Sequence, residues 1–315
     1  MSFLKLLEGL RTPFFDTVFQ WITTFGEETL FMVVAMIFFW CVDKKRGYYL
    51  LLVGTFGAVI NQFLKLICRI PRPWVKDDTF TIVESARAGA TGYSFPSGHT
   101  QSVTGTFGGV ARFAKNTWVR VGCIAIVVLT AFSRMYLGVH TPLDVGVSLL
   151  IGAALVLLLY PVVERGWTEK KGLLYGVLFA CIVVAAALVV YAETAVLPID
   201  PEEAEVFRHG IKTSYQLLGT LLAMTAVKWL DDRYIQFDTK AVWWMQILKV
   251  CIGLGIVIVV RTVLKTPLLL LTGGHDSAHG IRYFLMTLTG GAAWPACFGF
   301  LTRLQTHRKK EQLSA

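Results

Sequence analysis

The sequence predicts an all-α fold, a polytopic integral membrane bundle of about nine transmembrane helices. Three observations predict it. Of 315 residues, 55% are hydrophobic and only 16% charged, where soluble domains average about 45–50% and about 25%; the mean hydropathy is +0.58. The apolar residues gather in repeated runs of near-spanning length. The Lys and Arg residues behind the formal net charge of +9 occupy alternate loops and form no single stripe. That is a topological pattern, and it argues against a nucleic-acid partner. The six cysteines (Cys41, Cys68, Cys123, Cys181, Cys251 and Cys297) are scattered singly through apolar segments without a CxxC pair. They read as small core hydrophobes, not as a disulfide or metal framework.

Residues 3–22 alternate at helical spacing, with Lys5, Arg11 and Asp16 on the polar side. Segment 1–24 therefore reads as an interfacial helix. No short basic region with an apolar core and small-residue cleavage site precedes it, so a cleavable signal peptide is not expected. The spans follow at 25–42, 48–70, 98–114, 117–137, 142–162, 173–192, 211–230, 241–263 and 280–302. The first and third are short for a ~30 Å hydrocarbon core. Glu27 and Glu28 open the first span, as acids do at helix starts; contact with a cationic head group is the other reading. Basic loops at Lys44–Arg46, Arg112–Arg120, Arg165–Lys171 and Lys228–Lys240, with Arg303, Arg308, Lys309 and Lys310 in the tail, fall on one face. The positive-inside rule makes that face cytoplasmic. The N-terminus is then outside and the C-terminus inside, and the outer loops carry the acidic run Asp200–Glu205 and three polar motifs.

Those motifs carry the chemistry. Lys65 and Arg72 stand seven apart at the end of the second span. Pro71 and Pro73 disfavour helix there and turn Arg72 into the outer loop, where both cations converge on one anion. Pro96-Ser97-Gly98-His99 precedes an apolar helix. Ser97 is a good N-cap, Gly98 lets backbone approach a ligand, and the unpaired N–H groups form an anion site. His99 at its mouth is placed to protonate a leaving oxygen. In Ser133-Arg134-x5-His140-x3-Asp144, Arg134 adds a third cation. Thr141 reads as an N-cap and Pro142 as a first helical residue. Asp144 one turn after His140 fixes the tautomer and frees the other nitrogen to attack phosphorus; its alternative role is to complete a capping box with Thr141. No acidic cluster suited to a divalent metal is present, so neither metal nor cofactor is expected.

Lys-x6-Arg-Pro, Pro-Ser-Gly-His and Ser-Arg-x5-His-x3-Asp together resemble the type 2 phosphatidic acid phosphatase family, over roughly residues 45–165. The resemblance implies hydrolysis of lipid phosphate esters or diphosphates through a phosphohistidine. It makes His140 the nucleophile, Asp144 its orienting partner, His99 the general acid, and Lys65, Arg72, Ser97, Gly98 and Arg134 the phosphate ligands. The phosphatase core is then 25–193, and 194–315 is a three-span extension with a basic tail. Family members act on undecaprenyl diphosphate, phosphatidylglycerophosphate and sphingosine-1-phosphate. An integral bacterial plasma-membrane enzyme with an outward-facing site and a lipid phosphate substrate is the expectation. A lipid phosphotransferase and a lipid-phosphate transporter are the alternatives; tail specificity and oligomeric state stay open. In the last third, Arg261 inside an apolar run, Lys265, and the loop with His275, His279 and Arg282 read either as accessory head-group contacts or as an ordinary polar loop around a paired Arg.

Overall fold

A computed structural model describes residues 1–198 and 200–300. The described residues form helices and connecting turns, with no strand. In chain order these are α1 (Ser2–Gly9), α2 (Pro13–Thr23), α3 (Glu28–Ile37), α4 (Lys44–Cys68), α5 (Pro73–Lys76), α6 (Gly98–Val103), α7 (Gly109–Phe113), α8 (Thr117–Tyr136), α9 (Pro142–Gly166), α10 (Lys171–Thr194), α11 (Pro201–Leu230), α12 (Trp243–Val263), α13 (Lys265–Leu271), α14 (Ser277–Leu288) and α15 (Trp294–Ala296).

Among the described residues, five helical stretches are long and apolar enough to cross a membrane: Lys44–Lys76, Thr117–Tyr136, Pro142–Gly166, Lys171–Thr194 and Trp243–Leu271. A sixth arises if Pro13–Gly26 and Glu28–Val42, bent by 50°, count as one. The nine expected spans are thus not all matched by such helices. Span 98–114 is divided, with α6 and α7 separated by a π-helical turn at Thr104–Gly108. Span 211–230 lies within the 30-residue α11, where Lys212, Ser214, Tyr215, Gln216 and Thr220 dilute the apolar run. The end of span 280–302 and the basic tail from Arg303 to Lys310 lie outside the described residues. On the long helices, large apolar side chains such as Leu150, Leu158, Phe179, Val190 and Ile258 are exposed. Patches of that kind fit a lipid environment.

The chain forms two compact units. The first joins Met1–Ala35 to Tyr48–Ser214; the second joins Met36–Gly47 to the described residues from Tyr215. These cuts differ from the segments 1–24, 25–193 and 194–315. Residues 196–210 stay with the first unit through specific contacts. The Arg69 guanidinium reaches the Val196 carbonyl at 3.3 Å and lies 4.4 Å from the Phe207 ring centre. Tyr93 donates to Glu203 at 2.9 Å.

The N-terminal segment is two helices, not one. Thr12 accepts a hydrogen bond from the Phe15 N–H at 3.3 Å and Pro13 takes the first helical position, which starts a new helix. Its polar side meets protein. Lys5 pairs with Asp77 at 2.8 Å, Glu8 accepts from Thr81, and Arg11 donates to the carbonyls of Tyr136 (3.0 Å) and Thr81 (2.8 Å). Lys5 and the Thr79 hydroxyl hold the Asp77 carboxyl down at about 2.

In the first unit, α6 packs against α8, α9 and the turn Thr24–Gly26. Gly152 on α9 permits the approach to the π-helical turn, since a Cβ there would fall 2.6 Å from the Thr104 methyl. The C-terminal ends of α4 and α8 and the N-terminal ends of α6 and α9 meet at one end of the unit, where the three motifs lie. In the second unit, Trp40 Nε1 donates to the Gly290 carbonyl (2.9 Å) and Trp294 Nε1 to that of Lys249 (3.0 Å).

Candidate active site

The chain leaves α4 after Cys68 through Arg69, whose φ is +46° and whose Nε donates to the Leu66 carbonyl at 3.1 Å. The helix therefore stops before the two prolines, and Arg72 becomes the extended N-cap residue of α5, with Pro73 at its first position. The Arg72 side chain is buried, and each of its nitrogens has an acceptor. Nε donates to the Gly92 carbonyl (3.0 Å), Nη2 to that of Thr91 (2.7 Å) and Nη1 to that of Val139 (2.9 Å). Nη1 also lies 3.0 Å from His140 Nε2. Gly92 adopts φ +72°, a left-handed conformation that favours glycine.

That last contact assigns the His140 tautomer. A guanidinium only donates, so Nε2 presents its lone pair and Nδ1 carries the proton in the neutral ring. Nδ1 faces Asp144 Oδ2 at 3.6 Å, too long for a hydrogen bond, and has no hydrogen-bond partner. The expected hydrogen bond from Nδ1–H to Asp144 is thus not formed, and the ring's one hydrogen bond is the one Nε2 accepts from Arg72. The carboxylate is engaged elsewhere. Oδ2 accepts from the Thr141 N–H (2.7 Å) and the Ser94 hydroxyl (2.6 Å), while Thr141 Oγ1 accepts from the Asp144 N–H (3.3 Å). This is the capping box of α9, with Pro142 at the first helical position. His140 sits in the loop between α8 and α9. Burial, then Arg72, Arg134, Lys65 and His99, push its pKa well below 6.5.

Arg134, in the last turn of α8, is 1% exposed. Its backbone carbonyl accepts from the N–H groups of Val139 (3.1 Å) and His140 (3.2 Å) and so closes the turn that presents His140. Nη1 donates to Thr23 Oγ1 at 2.5 Å, while Nε and Nη2 have no partner. A buried guanidinium with spare donors is suited to an anion.

Ser97 caps α6 and accepts from the Thr100 N–H at 3.4 Å; its own N–H donates to the Asp144 carbonyl at 3.2 Å, which ties the second motif to the third. A Cβ added at Gly98 would meet nothing within 4 Å, leaving room for a ligand against the backbone. His99 is half-buried beside Gly26, where an added Cβ would fall 2.8 Å from that of His99. Lys65 is half-buried in the last turn of α4, its Nζ 3.9 Å from where a Gly92 Cβ would sit. Lys65, Arg72, His99, Arg134, His140 and Asp144 all belong to one electrostatically interacting group. Exposed Glu28 interacts with Lys65, and Glu27 with Arg134.

Arg261, Lys265, His275, His279 and Arg282 are in the second unit, not the first. Arg261 and Lys265 are exposed, so the reading of a buried, paired Arg at 261 does not hold. No sequence signal marks Ser94 or Thr23, whose hydroxyls act only through folded neighbours. Among the described residues no group of His, Cys, Asp or Glu side chains is arranged to hold a metal.

The description "PAP2 superfamily" matches residues 46–168, the segment carrying all three motifs. Phosphatidylglycerophosphatase B of Bacillus subtilis (strain 168) is 30% identical over 176 residues, 51% of this chain and 79% of its own length. The chain belongs to the PAP2 superfamily. A second description, "PAP2 superfamily phosphatase, transmembrane extension", matches residues 215–307 and gives the last third a family that its sequence had not suggested. Other similar proteins are undecaprenyl-diphosphatase BcrC of B. subtilis (28% identity; 47% of this chain, 75% of that protein) and sphingosine-1-phosphate phosphatase 2 of Homo sapiens (25% identity; 50% and 39%). No solved structure matches the chain. It is an integral membrane phosphatase of the PAP2 superfamily, a phosphoric monoester or diphosphate hydrolase.

Arg72→Lys tests how far the site rests on one guanidinium. A lysine keeps the charge but cannot reach three carbonyls and an imidazole at once. Hydrolysis should fall by about 10²–10³-fold, the usual cost of one preorganised donor. The unfolding free energy should fall by about 2–4 kcal/mol through stranded buried acceptors. Steady-state kinetics and thermal unfolding in detergent check both.

Proposed function

We propose that this PAP2 protein hydrolyses a lipid phosphate or diphosphate through a phosphohistidine at His140, with undecaprenyl diphosphate the leading substrate. One observation carries the reading. The lone pair of a buried, neutral imidazole is aimed by Arg72, next to two unpartnered donors of Arg134.

The phosphate settles between Lys65, Arg72 and Arg134 against the start of α6. One of its oxygens displaces His140 Nε2 as the acceptor of Arg72 Nη1, which frees the lone pair. Nε2 attacks phosphorus, the bond to the leaving oxygen breaks, and His99 gives that oxygen its proton. The ring becomes cationic, and the Asp144 carboxylate facing Nδ1–H stabilises it electrostatically. Water then attacks phosphorus and gives its proton to His99. The P–N bond breaks, phosphate leaves, and Nε2 recovers its lone pair. The three cations offset charge on the transferring group throughout.

The fuller topology belongs to the same proposal: nine spans in a bacterial plasma membrane, with the motif-bearing end extracytoplasmic and the C-terminus cytoplasmic. Support comes from the charge distribution over alternate loops. A lipid then enters sideways from the outer leaflet with its tail still in the bilayer.

Phosphate release by purified protein in detergent, over a panel of undecaprenyl diphosphate, phosphatidate, phosphatidylglycerophosphate and sphingosine-1-phosphate, tests the function. At least one should give free phosphate without an added acceptor. Silence across the panel, or product that appears only with an acceptor lipid or sugar, overturns hydrolysis. Labelling of single cysteines from either side of sealed vesicles tests the orientation; a motif loop labelled only from the cytoplasmic side contradicts it.

A further inference from the structure

The second unit carries cations of its own on α12, α13 and α14. From Arg261 to Arg282 the sequence has three permanent cations, Arg261, Lys265 and Arg282, against one carboxylate, Asp276. Arg261 lies in the last turn of α12 and Lys265 opens α13 one turn later; both are exposed. Arg282 lies in the second turn of α14, which packs against α12 and α13.

Arg282 is the informative residue. It is 6% exposed, and its Nε is buried without a hydrogen-bond partner. Its aromatic neighbour is Tyr283, whose ring centre is 5.6 Å from the guanidinium carbon. Its charged neighbour is another cation, Arg261. Asp276 is not among the groups that act on Arg282; that carboxylate lies 3.8 Å from His279 Nε2. A buried guanidinium beside a like charge is poorly stabilised by the protein alone, and an anion would complete it. Exposed Ile258, Val259, Val263, Leu270 and Leu271 flank the cations on α12 and α13. Acyl chains can lie along that face while a phosphate meets the cations.

We infer that Arg282 and Arg261, residues other than the catalytic ones, form a second anion site, which takes the phosphodiester head group of an anionic phospholipid. Inorganic phosphate shares the recognising chemistry but has no use for the apolar flank. The site holds an intact lipid and hydrolyses nothing, and it does not depend on the reaction proposed for His140.

The test is thermal unfolding of the full chain in nanodiscs. The wild type is compared in phosphatidylcholine alone, with phosphatidylglycerol added, and with inorganic phosphate added. Phosphatidylglycerol should raise the unfolding temperature of the wild type, and Arg282→Gln and Arg261→Gln should lose that rise. Should Arg282→Gln not fold, Arg261→Gln decides alone, since its side chain is exposed. A rise given equally by inorganic phosphate and lost in the variants supports an anion site but overturns the lipid head group as its occupant. A phosphatidylglycerol effect retained in the variants, or absent from the wild type, overturns the site.

Discussion

Replacing His140 with asparagine should lower phosphate release by at least about 10³-fold, the scale expected when a covalent nucleophile is removed. The loss should appear in kcat, because a fold and cation set that survive the change still bind the lipid phosphate. Asparagine keeps an acceptor for Arg72 but has no nucleophilic lone pair. Wild type quenched during turnover of phosphate-labelled lipid should carry label that survives alkali and is lost in acid, as a P–N bond behaves. An acyl phosphate at Asp144 would be lost in alkali, and a phosphoserine at Ser97 would survive acid. Label of either kind, or label persisting in His140→Asn, rejects the nucleophile named here.

The pH profile supplies an independent check. In the proposed mechanism the nucleophile is the neutral ring, and activity on the acid side is lost when that ring gains a proton. An ordinary histidine would give that loss near 6.5. Burial and the surrounding cations hold His140 neutral to well below that. The acid limb of kcat/KM assigned to His140 should therefore lie clearly below 6.5. Exchanging Arg72 for glutamine removes one of those cations and should move the limb upward.

Much of this site was visible before folding because its parts are local. Thr141, Pro142 and Asp144 announce a helix start by chemistry confined to four residues, and the structure forms that capping box. Pro71 and Pro73 likewise announce the end of α4. What escaped was non-local. Asp144 could be placed one helical turn from His140, but no spacing rule reveals that Ser94, fifty positions earlier, donates to its carboxylate. Nor does spacing reveal that Arg72 holds the imidazole from across the loop. What the polar face of residues 3–22 would meet was hidden for a related reason. Amphipathicity marks a polar face without saying whether head groups or protein will meet it, and loop residues Asp77, Thr79 and Thr81 do. Hydropathy, for its part, could not foresee the π-helical turn that divides α6 from α7.

Changing His99 to asparagine should give a loss whose size depends on the leaving group. In a lipid monoester such as phosphatidate the leaving oxygen becomes an alkoxide, a strong base that needs a proton as the bond breaks. In a lipid diphosphate it becomes a phosphate monoester, whose second pKa is about 6. That group leaves readily without help. General-acid catalysis contributes about 10²–10⁴-fold where it is needed. His99→Asn should therefore lose about that much on phosphatidate and far less on undecaprenyl diphosphate or p-nitrophenyl phosphate. Position alone makes this residue the candidate: it opens α6 beside the anion-facing backbone and interacts with Arg134, Lys65 and Arg72. A bound phosphate adds negative charge among those cations and draws a proton onto the ring. Because the proposed mechanism also has His99 accept a proton from water in the second step, a residual loss should persist with every substrate whose dephosphorylation limits turnover. Burst kinetics separate the two steps: with p-nitrophenyl phosphate the variant should keep its burst and slow only afterwards. Equal losses of burst rate on monoester and diphosphate substrates would assign His99 to phosphate binding and leave the leaving-group proton to another donor.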